Sequence, residues 1–292
     1  MAKGMEYDRR VLRLFDRYVH GTLSRRQFID EVAAFATASM SAAAIVASLS
    51  PDYALAEQVS PNDKSISAAY KVYPSPQGAG EMRGYYARPA VHEHKLPGVV
   101  VVHENRGLNP YIEDVARRLA VAGFIAFAPD ALWPLGGYPG NDDAGRELQA
   151  KRDPAEMEED FVAAVAYLQR HPDCTGRVGA VGFCFGGRMV LRLAVRIAEL
   201  GASVPFYGSH PAAHEAAFIQ APLLLHHAGL DERVNASWPA FEKALQDADR
   251  NFVEYTYAGV NHGFHNDTTP RYDKDAAELA WQRTLQHFTT HL

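Results

Sequence analysis

The chain has 292 residues, of which 47% are hydrophobic and 22% are charged. This composition is typical of a globular protein and excludes a disordered or fibrous chain. The formal net charge of −6 argues against nucleic acid as a partner, because phosphate binding needs a basic surface, and two cysteines exclude a disulfide-stapled scaffold.

The first 56 residues differ in composition from the rest of the chain. Residues 1–30 carry a net charge of +3, whereas the remaining residues carry −9. The pair Arg25 and Arg26 precedes an uncharged stretch rich in alanine and serine at 32–49, and Ala-Leu-Ala follows at 54–56. This order resembles a twin-arginine export signal, which would lead to the periplasm. The uncharged stretch is too short and too rich in alanine for a permanent membrane span.

The same segment also has the pattern of a helical hairpin. Apolar residues recur at helical spacing at Val11, Leu14, Phe15 and Tyr18. Ser24 and Gln27 then have the spacing of a capping box, in which Arg25 and Arg26 are solvated residues of a first helical turn. We predict this uncleaved hairpin over residues 1–56, packed on the main domain or joining two subunits as a homodimer. It implies a cytoplasmic protein, with export as the alternative.

Residues 57–66 are polar and predict a linker, and strand-like and helix-like runs alternate beyond it. An antiparallel pair is expected at 68–73 and 82–87. Further strands are expected at 98–103, 124–128, 178–183, 203–207, 223–227 and 252–257. Helices are expected at 110–122, 154–169, 187–199, 236–246 and 274–288. This alternation predicts an α/β domain over residues 67–292: a doubly wound, mostly parallel sheet with helices on both faces.

The most specific motif is Gly182-Phe183-Cys184-Phe185-Gly186-Gly187, between an apolar strand and a helix. It has the form of a nucleophile elbow with cysteine in place of serine. The glycines permit a sharp reversal of the chain, and the N–H of Phe185 would form half of an oxyanion hole. The alternative is a small buried cysteine without a reaction to perform. Cys174 lies before the strand that Cys184 ends, and this strand separates the two residues too far for a disulfide.

A catalytic thiol needs a base, and the base needs an acid to orient it. Asp231 follows the strand at 223–227, and His262 follows the last strand, so both would lie at the carboxyl edge of the sheet. We therefore predict a Cys184–Asp231–His262 triad. Glu232 and His265 are rival candidates for the acid and the base. The histidine pairs at 92/94 and 226/227 lack a convergent third ligand, so no metal site is predicted.

With these motifs placed, residues 67–292 resemble the dienelactone hydrolase family of the α/β-hydrolase fold. The elbow and the loops around Asp231 and His262 carry the resemblance, together with Val102-His103-Glu104-Asn105-Arg106-Gly107-Leu108. The resemblance implies that Glu104 lies near the thiol and that the N–H of Asn105 completes the oxyanion hole. A buried carboxylate beside Cys184 fits a neutral thiol in the resting enzyme. The alternative for Glu104 is an ion pair with Arg106 or a structural hydrogen bond.

One position departs from the family pattern. The family holds a substrate carboxylate with two arginines, one of them four residues after the catalytic histidine, and Asn266 stands there in this chain. Arg146 and Arg152 are candidates for the other arginine. The departure puts a strong preference for anionic lactones in doubt. The remaining candidates for substrate contact are Arg106, Trp133, Tyr138 and Tyr207.

The sequence thus predicts a hydrolase of lactones or small carboxylic esters that forms an acyl-enzyme on Cys184. The resemblance implies a small-molecule substrate and no cofactor. One alternative is a general esterase or thioesterase without a preference for lactones. Another is a catalytically idle hydrolase fold that acts in assembly through its N-terminal helices.

Overall fold

The computed structural model describes residues 7–37 and 41–292. Its strands are β1 (Ile66–Ser75), β2 (Gly80–Pro89), β3 (Leu96–Val102), β4 (Ile125–Pro129), β5 (Cys174–Phe183), β6 (Ala202–Phe206), β7 (Leu223–Ala228) and β8 (Phe252–Tyr257). Its α-helices are α1 (Arg9–Val19), α2 (Arg25–Val32), α3 (Ala42–Ser48), α4 (Pro110–Val121), α5 (Asp142–Gln149), α6 (Pro154–Gln169), α7 (Phe185–Arg196), α8 (Glu232–Asn235), α9 (Trp238–Asp247) and α10 (Lys274–His291).

The eight strands form one sheet in the order β1-β2-β4-β3-β5-β6-β7-β8. β2 pairs antiparallel with β1 and β4, and all the other pairs are parallel. The predicted doubly wound, mostly parallel sheet is confirmed. β3 is a run of valines buried on both faces, as expected where helices cover both sides of a parallel sheet.

Helices cover the two faces of the sheet and give each face its own core. α4 and α10 pack on one face, where Tyr111 and Phe288 are fully buried. α6, α7 and α9 pack on the other face, where Phe161 and Phe241 are buried. Because the strands from β3 to β8 run parallel, their carboxyl ends meet at one edge of the sheet. The loops at this edge carry the catalytic candidates.

Two details of the α/β domain differ from the sequence expectation. The single helix expected at 236–246 is preceded by a separate turn of helix, α8, which Asp231 caps. The insert between β4 and α6 contains α5, a helix capped by Asn141 that the sequence did not predict. Its eight residues have too few large apolar side chains for a clear helical period.

The N-terminal helices form a small apolar cluster that lies against the catalytic domain. Phe15, Tyr18, Phe28 and further apolar residues of the segment are buried in this cluster. Ser24 and Gln27 form the capping box of α2, and Gly21 takes a positive φ of 76° in the turn between the helices. In the described part of the chain, no helix is long and apolar enough to cross a membrane.

The predicted export-signal features lie only partly within the described residues. Residues 1–6, and residues 38–40 of the stretch rich in alanine and serine, lie outside them. The predicted linker is joined to the domain, because the Val59 N–H donates to Asp114 of α4 over 2.9 Å. The division of the chain at 57–66 and the cellular compartment stay predictions.

Candidate active site

The turn between β5 and α7 holds Cys184 in an unusual backbone conformation. Its φ of 58° and ψ of −109° are sterically costly for a residue with a side chain. Two glycines make the turn possible. A Cβ on Gly182 would overlap the Gly186 carbonyl, and one on Gly186 would overlap the Val102 carbonyl at the end of β3. The strand-to-helix reversal therefore depends on these two glycines, as expected for a nucleophile elbow.

The same close packing brings the two oxyanion-hole candidates, the N–H groups of Asn105 and Phe185, to the elbow. Gly186 lies against the end of β3, so the segment that begins with Glu104 and Asn105 adjoins Cys184. Phe185 is the first residue of α7, and N–H groups at a helix start have no acceptor within the helix. The side chain of Asn105 donates to the Val19 carbonyl over 2.8 Å, which fixes this segment to the N-terminal turn.

Asp231 and His262 lie together at the ends of β7 and β8. Nδ1 of His262 is 2.5 Å from Oδ2 of Asp231, and both residues are buried. Asp231 also accepts a hydrogen bond from the Val234 N–H at the start of α8, which fixes the carboxylate. Because Nδ1 carries the proton given to Asp231, Nε2 of His262 is left as the base. Among the described residues, this Nε2 has no hydrogen-bond partner.

The two rival residues of the triad lie elsewhere. His265 is hydrogen-bonded to the Tyr111 hydroxyl over 2.6 Å and stacks on Phe183 in the core. The Glu232 side chain is 89% exposed and lies 3.9 Å from Arg13. The structure therefore brings His262, with its partner Asp231, rather than these neighbours, to Cys184, the candidate nucleophile.

A second histidine at the nucleophile was not found from the sequence. Nε2 of His20, in the turn after α1, lies 3.4 Å from Sγ of Cys184. The rings of His20 and His262 contact edge to face, with centroids 4.7 Å apart. His20 precedes Cys184 by 164 residues, and no local motif distinguishes it from the other twelve histidines of the chain.

The two imidazoles change the expected state of the thiol. Burial raises the pKa of Cys184, but the facing His262 and His20 outweigh burial and hold this pKa well below its usual value. Burial lowers the pKa of His262, but the charges of Cys184 and Asp231 raise it to about 10. The site thus favours a thiolate–imidazolium pair. The neutral resting thiol that the family resemblance implies stays a prediction, and the second imidazole, His20, opposes it.

Glu104 is buried close to the thiol and is bound by an amide. Asn266 donates to its carboxylate over 3.0 Å. Burial raises the pKa of Glu104, although the charge of Arg106 opposes the shift. Arg106 itself pairs with Asp142 over 2.6 Å instead of with Glu104. Asn266, the residue that departs from the family pattern, is therefore the partner of the buried carboxylate.

The arginines considered for substrate binding are each paired with an acid in the structure. Arg146 pairs with Asp143 over 2.5 Å, and Arg152 pairs with Asp160 over 2.6 Å. Arg106 is paired as described above. Each of these three guanidinium groups therefore already has an acidic partner within the chain.

The three aromatic candidates for substrate contact differ in how close they lie to the candidate catalytic residues. Tyr207 is buried, and its ring centroid is 4.9 Å from that of His262. Tyr138 donates its hydroxyl to Asp142 over 2.9 Å, in a cavity of about 260 Å³ beneath the N-terminal helices. Trp133 packs under the Arg83 guanidinium, 4.1 Å from the ring centroid. Of the three, only Tyr207 has a ring contact with the triad.

Arg271 is a buried cation near the site that the sequence did not single out. Its side chain is 2% exposed, and Nη1 lies 3.5 Å from the Asp16 carboxylate. Nε and Nη1 have no hydrogen-bond partner among the described residues. Burial lowers the pKa of Arg271, and the neighbouring Arg106 adds to this effect. No spacing rule marks a residue nine positions after the catalytic histidine.

Two cavities adjoin the N-terminal turn, and the smaller of them is lined by Asp231 and His262. The larger, of about 850 Å³, is lined by residues that include His20, Asn105, Arg146, Gln149, Met157 and Phe185. The other, of about 420 Å³, is lined by residues that include Leu12, Asp16, Asp231, His262 and Arg271. The larger cavity contains both oxyanion-hole candidates.

The site also contains a set of residues that could hold a metal ion. One ring nitrogen each of His20 and His262 and the sulfur of Cys184 lie within 4.8 Å of one another. Imidazole nitrogens and a cysteine sulfur are among the ligand types that Zn²⁺ takes. The sequence did not predict this set, because His20 comes from a separate segment.

Comparisons with known proteins agree with this fold. A model of the dienelactone hydrolase family matches residues 82–292, and a separate model described as YqhI-like matches residues 3–37. A protein of Escherichia coli K12 described as a possible hydrolase fragment, YghX, is 64% identical over 115 residues, which are 39% of this chain and 98% of that protein. A Bradyrhizobium protein described as a probable 2-oxo-3-(5-oxofuran-2-ylidene)propanoate lactonase is 34% identical over 229 residues, which are 73% of this chain and 91% of the relative.

A solved structure extends the comparison to three dimensions. A dienelactone hydrolase-like promiscuous phosphotriesterase from metagenomic libraries has 26% identity and a TM-score of 0.67, and the match covers 78% of this chain and 99% of that chain. These matches confirm the resemblance that the elbow and the loop motifs indicated. The chain belongs to the dienelactone hydrolase family and is a hydrolase that acts on ester or lactone bonds.

Proposed function

We propose that the protein hydrolyses lactones or small carboxylic esters through an acyl-enzyme on Cys184. The observation that carries this proposal is the position of Cys184 at a strained elbow, facing a histidine that Asp231 orients. A thiolate is the reactive form of cysteine, and the facing imidazoles favour it by lowering the pKa of Cys184. A merely structural cysteine has no need of this arrangement.

The reaction follows from the positions of these groups. The thiolate of Cys184 attacks the substrate carbonyl, and the N–H groups of Asn105 and Phe185 receive the negative charge on oxygen. The C–O bond then breaks, and the leaving oxygen takes a proton from an imidazolium. Water next attacks the thioester, with His262 as the base and Asp231 holding its ring. The acid product leaves, and the thiol is restored.

The substrate would be an ester or lactone small enough for the larger cavity of about 850 Å³. An anionic group of the substrate is supported instead by the smaller cavity, where Arg271 lies beside His262. Two nitrogens of Arg271 have no hydrogen-bond partner among the described residues, and its Nη1 lies 3.5 Å from Asp16. The Bradyrhizobium relative is described as acting on a lactone that carries a carboxylate.

The second candidate function is a general esterase that has no preference for lactones. It is favoured by Asn266, which stands at the position of a family arginine and binds Glu104 instead. Comparing kcat/KM for an anionic dienelactone and a neutral aryl ester separates the two. A preference below about tenfold for the lactone would support the general esterase.

The mechanism is tested by replacing each cysteine in turn. Cys184→Ala should abolish hydrolysis of an activated ester, because no acyl-enzyme can form. Cys174→Ala is the matched control, since Cys174 is the other free cysteine and is buried away from the site. Mass spectrometry of wild type quenched during turnover should show the acyl group on the Cys184 peptide. Undiminished turnover by Cys184→Ala would disprove the mechanism.

A further inference from the structure

The turn that ends α1 lies directly over the nucleophile. The carbonyl of Val19 accepts a hydrogen bond from Asn105, and the next residue, His20, contacts the Cys184 sulfur. The His20 side chain is only 13% exposed, so its ring belongs to the site rather than to the surface. The mechanism above needs one imidazole, yet the thiol faces two.

The surroundings of His20 determine which ring nitrogen carries the proton. Nδ1 lies 2.8 Å from the backbone carbonyl of Asp16 and 3.3 Å from its carboxylate, and both of these groups are acceptors. Nδ1 therefore carries a proton, and Nε2 of the neutral ring is the acceptor nitrogen, which faces both the Cys184 sulfur and Nη2 of Arg233. His262 is held by Asp231 in the same way. Cys184 thus faces two His–Asp pairs, one from each region of the chain.

We propose that His20, oriented by Asp16, is a further catalytic residue that takes the proton of the Cys184 thiol. The proposal rests on the cysteine mechanism proposed above. The S–H bond breaks as an N–H bond forms at Nε2 of His20, and the resulting thiolate attacks the carbonyl carbon. When the C–O bond breaks, the leaving oxygen takes this proton from His20.

The second half-reaction then uses the other histidine. His262 accepts a proton from the water that attacks the thioester. The C–S bond breaks, and the departing sulfur takes this proton from His262. Ester and water become acid and alcohol, and no other reactant is consumed. Two bases at one sulfur thus divide acylation and deacylation between them.

The charges that face His20 are consistent with this role. Burial lowers its pKa, but the negative charge on Cys184 and the hydrogen bond to Asp16 outweigh burial, and the pKa is raised. His262 opposes the shift. Nη2 of Arg233 lies 3.1 Å from Nε2 and competes with the thiol for this nitrogen. Because Arg233 is exposed, its guanidinium can return to water when the imidazole is protonated.

Contacts with the catalytic domain hold the N-terminal turn in register with the thiol. The Tyr18 hydroxyl donates to Asp143 over 2.6 Å, and Arg146 donates to the Tyr18 carbonyl over 2.9 Å. Asp16 also lies 3.5 Å from the buried Arg271. The segment that a separate family model matches, residues 3–37, therefore contributes to the catalytic centre of the hydrolase domain.

The proposal is tested by removing the imidazole and supplying it again. His20→Ala should lower kcat/KM for a neutral aryl ester about 10²-fold, the lower end of the range for a general base, because His262 remains. Free imidazole should restore at least tenfold of this activity. His94→Ala, at an exposed histidine far along the chain, should neither lose activity nor respond to imidazole. Cys184→Ala with imidazole measures the background hydrolysis.

Each other outcome has a defined meaning. Unchanged or higher activity of His20→Ala would overturn the proposal and make the turn a passive wall or a plug. A loss that imidazole does not restore would make His20 a structural residue and would also overturn it. If Cys184→Ala is inactive while His20→Ala is fully active, only this inference fails. An active Cys184→Ala would instead disprove the cysteine mechanism itself.

Discussion

The two His–Asp pairs at Cys184 come from regions that hold them in different ways. Asp231 and His262 follow adjacent parallel strands, so the hydrogen-bonded sheet sets their separation. Asp16 and His20 share one end of a single helix, and the site receives them only because α1 lies against the catalytic domain. That helix is held by a small apolar cluster and a few polar contacts.

The difference shows how local stability affects each half of the site. The sheet pair is lost only when the domain unfolds, because its loops emerge from the central core. The helical pair is lost when a segment of about forty residues separates from the domain, which costs less than global unfolding. Activity that depends on His20 should therefore be more sensitive to mutation and temperature than activity that depends on His262.

The largest effect is expected at the sheet pair. His262→Ala should lower kcat/KM about 10³–10⁴-fold, because the base for deacylation and the partner of Asp231 are both lost. His265→Gln is the control in the same loop, and its activity should stay within about tenfold of wild type. An equal loss in both variants would contradict the assignment of His262 as the base.

The Asp16–His20 pair can be separated from Cys184 by a substitution that lies outside the active site. Phe28 is fully buried, stacks on Tyr18 at 4.8 Å between ring centroids, and does not contact Cys184. Phe28→Ala should weaken the N-terminal cluster by about 3–5 kcal/mol, so the segment separates and kcat/KM falls about 10²-fold, to the level of His20→Ala. The main thermal transition of the domain should shift little.

Leu55→Ala is the control for this experiment, since Leu55 is an apolar residue just after the N-terminal helices that lies outside their cluster and is 61% exposed. It should keep both its activity and its N-terminal structure, measured by resistance of the segment to trypsin. If Phe28→Ala releases the segment but keeps full activity, the Asp16–His20 pair does not assist Cys184, and the prediction is contradicted.

The state of the thiol can be measured directly with iodoacetamide. The lowered pKa of Cys184 means that thiolate persists as pH falls below the ordinary thiol range. Between pH 8.5 and 6 its alkylation rate should fall less than tenfold, whereas an ordinary thiol with a pKa of about 8.5 slows more than about a hundredfold. The profile should move to higher pH in both His20→Ala and His262→Ala. A shift in only one of them would identify which imidazole holds the thiolate.

The smallest effect is expected on substrate binding rather than on the steps of the reaction. Arg271→Gln should raise KM for an anionic lactone about tenfold, since about 1.4 kcal/mol of binding is lost, and should leave KM for a neutral ester within about threefold. Arg146→Gln is the matched comparison, because Arg146 already pairs with Asp143. A selective effect in Arg146→Gln alone would transfer the role to that residue.

The sequence located the elbow and the sheet pair because their positions follow from the order of elements. Cys184, Asp231 and His262 each follow a parallel strand, and parallel strands end at one edge of the sheet. The glycines beside Cys184 are required by backbone contacts that any such elbow has. Because these requirements are local, they appear as a short pattern in the amino-acid sequence.

The residues that the sequence did not find depend on contacts between distant segments. His20 reaches Cys184 across 164 residues. Arg271 is distinguished only by its burial and by two nitrogens that have no hydrogen-bond partner in the described part of the chain. The arginine candidates at 106, 146 and 152 could be recognised as cations but not as members of ion pairs, because their acidic partners are set by packing.

The sequence by itself determined the α/β-hydrolase fold, the family and the chain order of the candidate nucleophile, acid and histidine. Periodicity, glycine positions and strand order are properties of short segments, so they can be recognised without the tertiary structure. Only the tertiary structure decided where the N-terminal helices lie, since the same paired arginines and apolar residues suit an export signal or a packed hairpin. The packed position of α1 places a second imidazole at the thiol, and the electrostatics of the nucleophile depend on that contact.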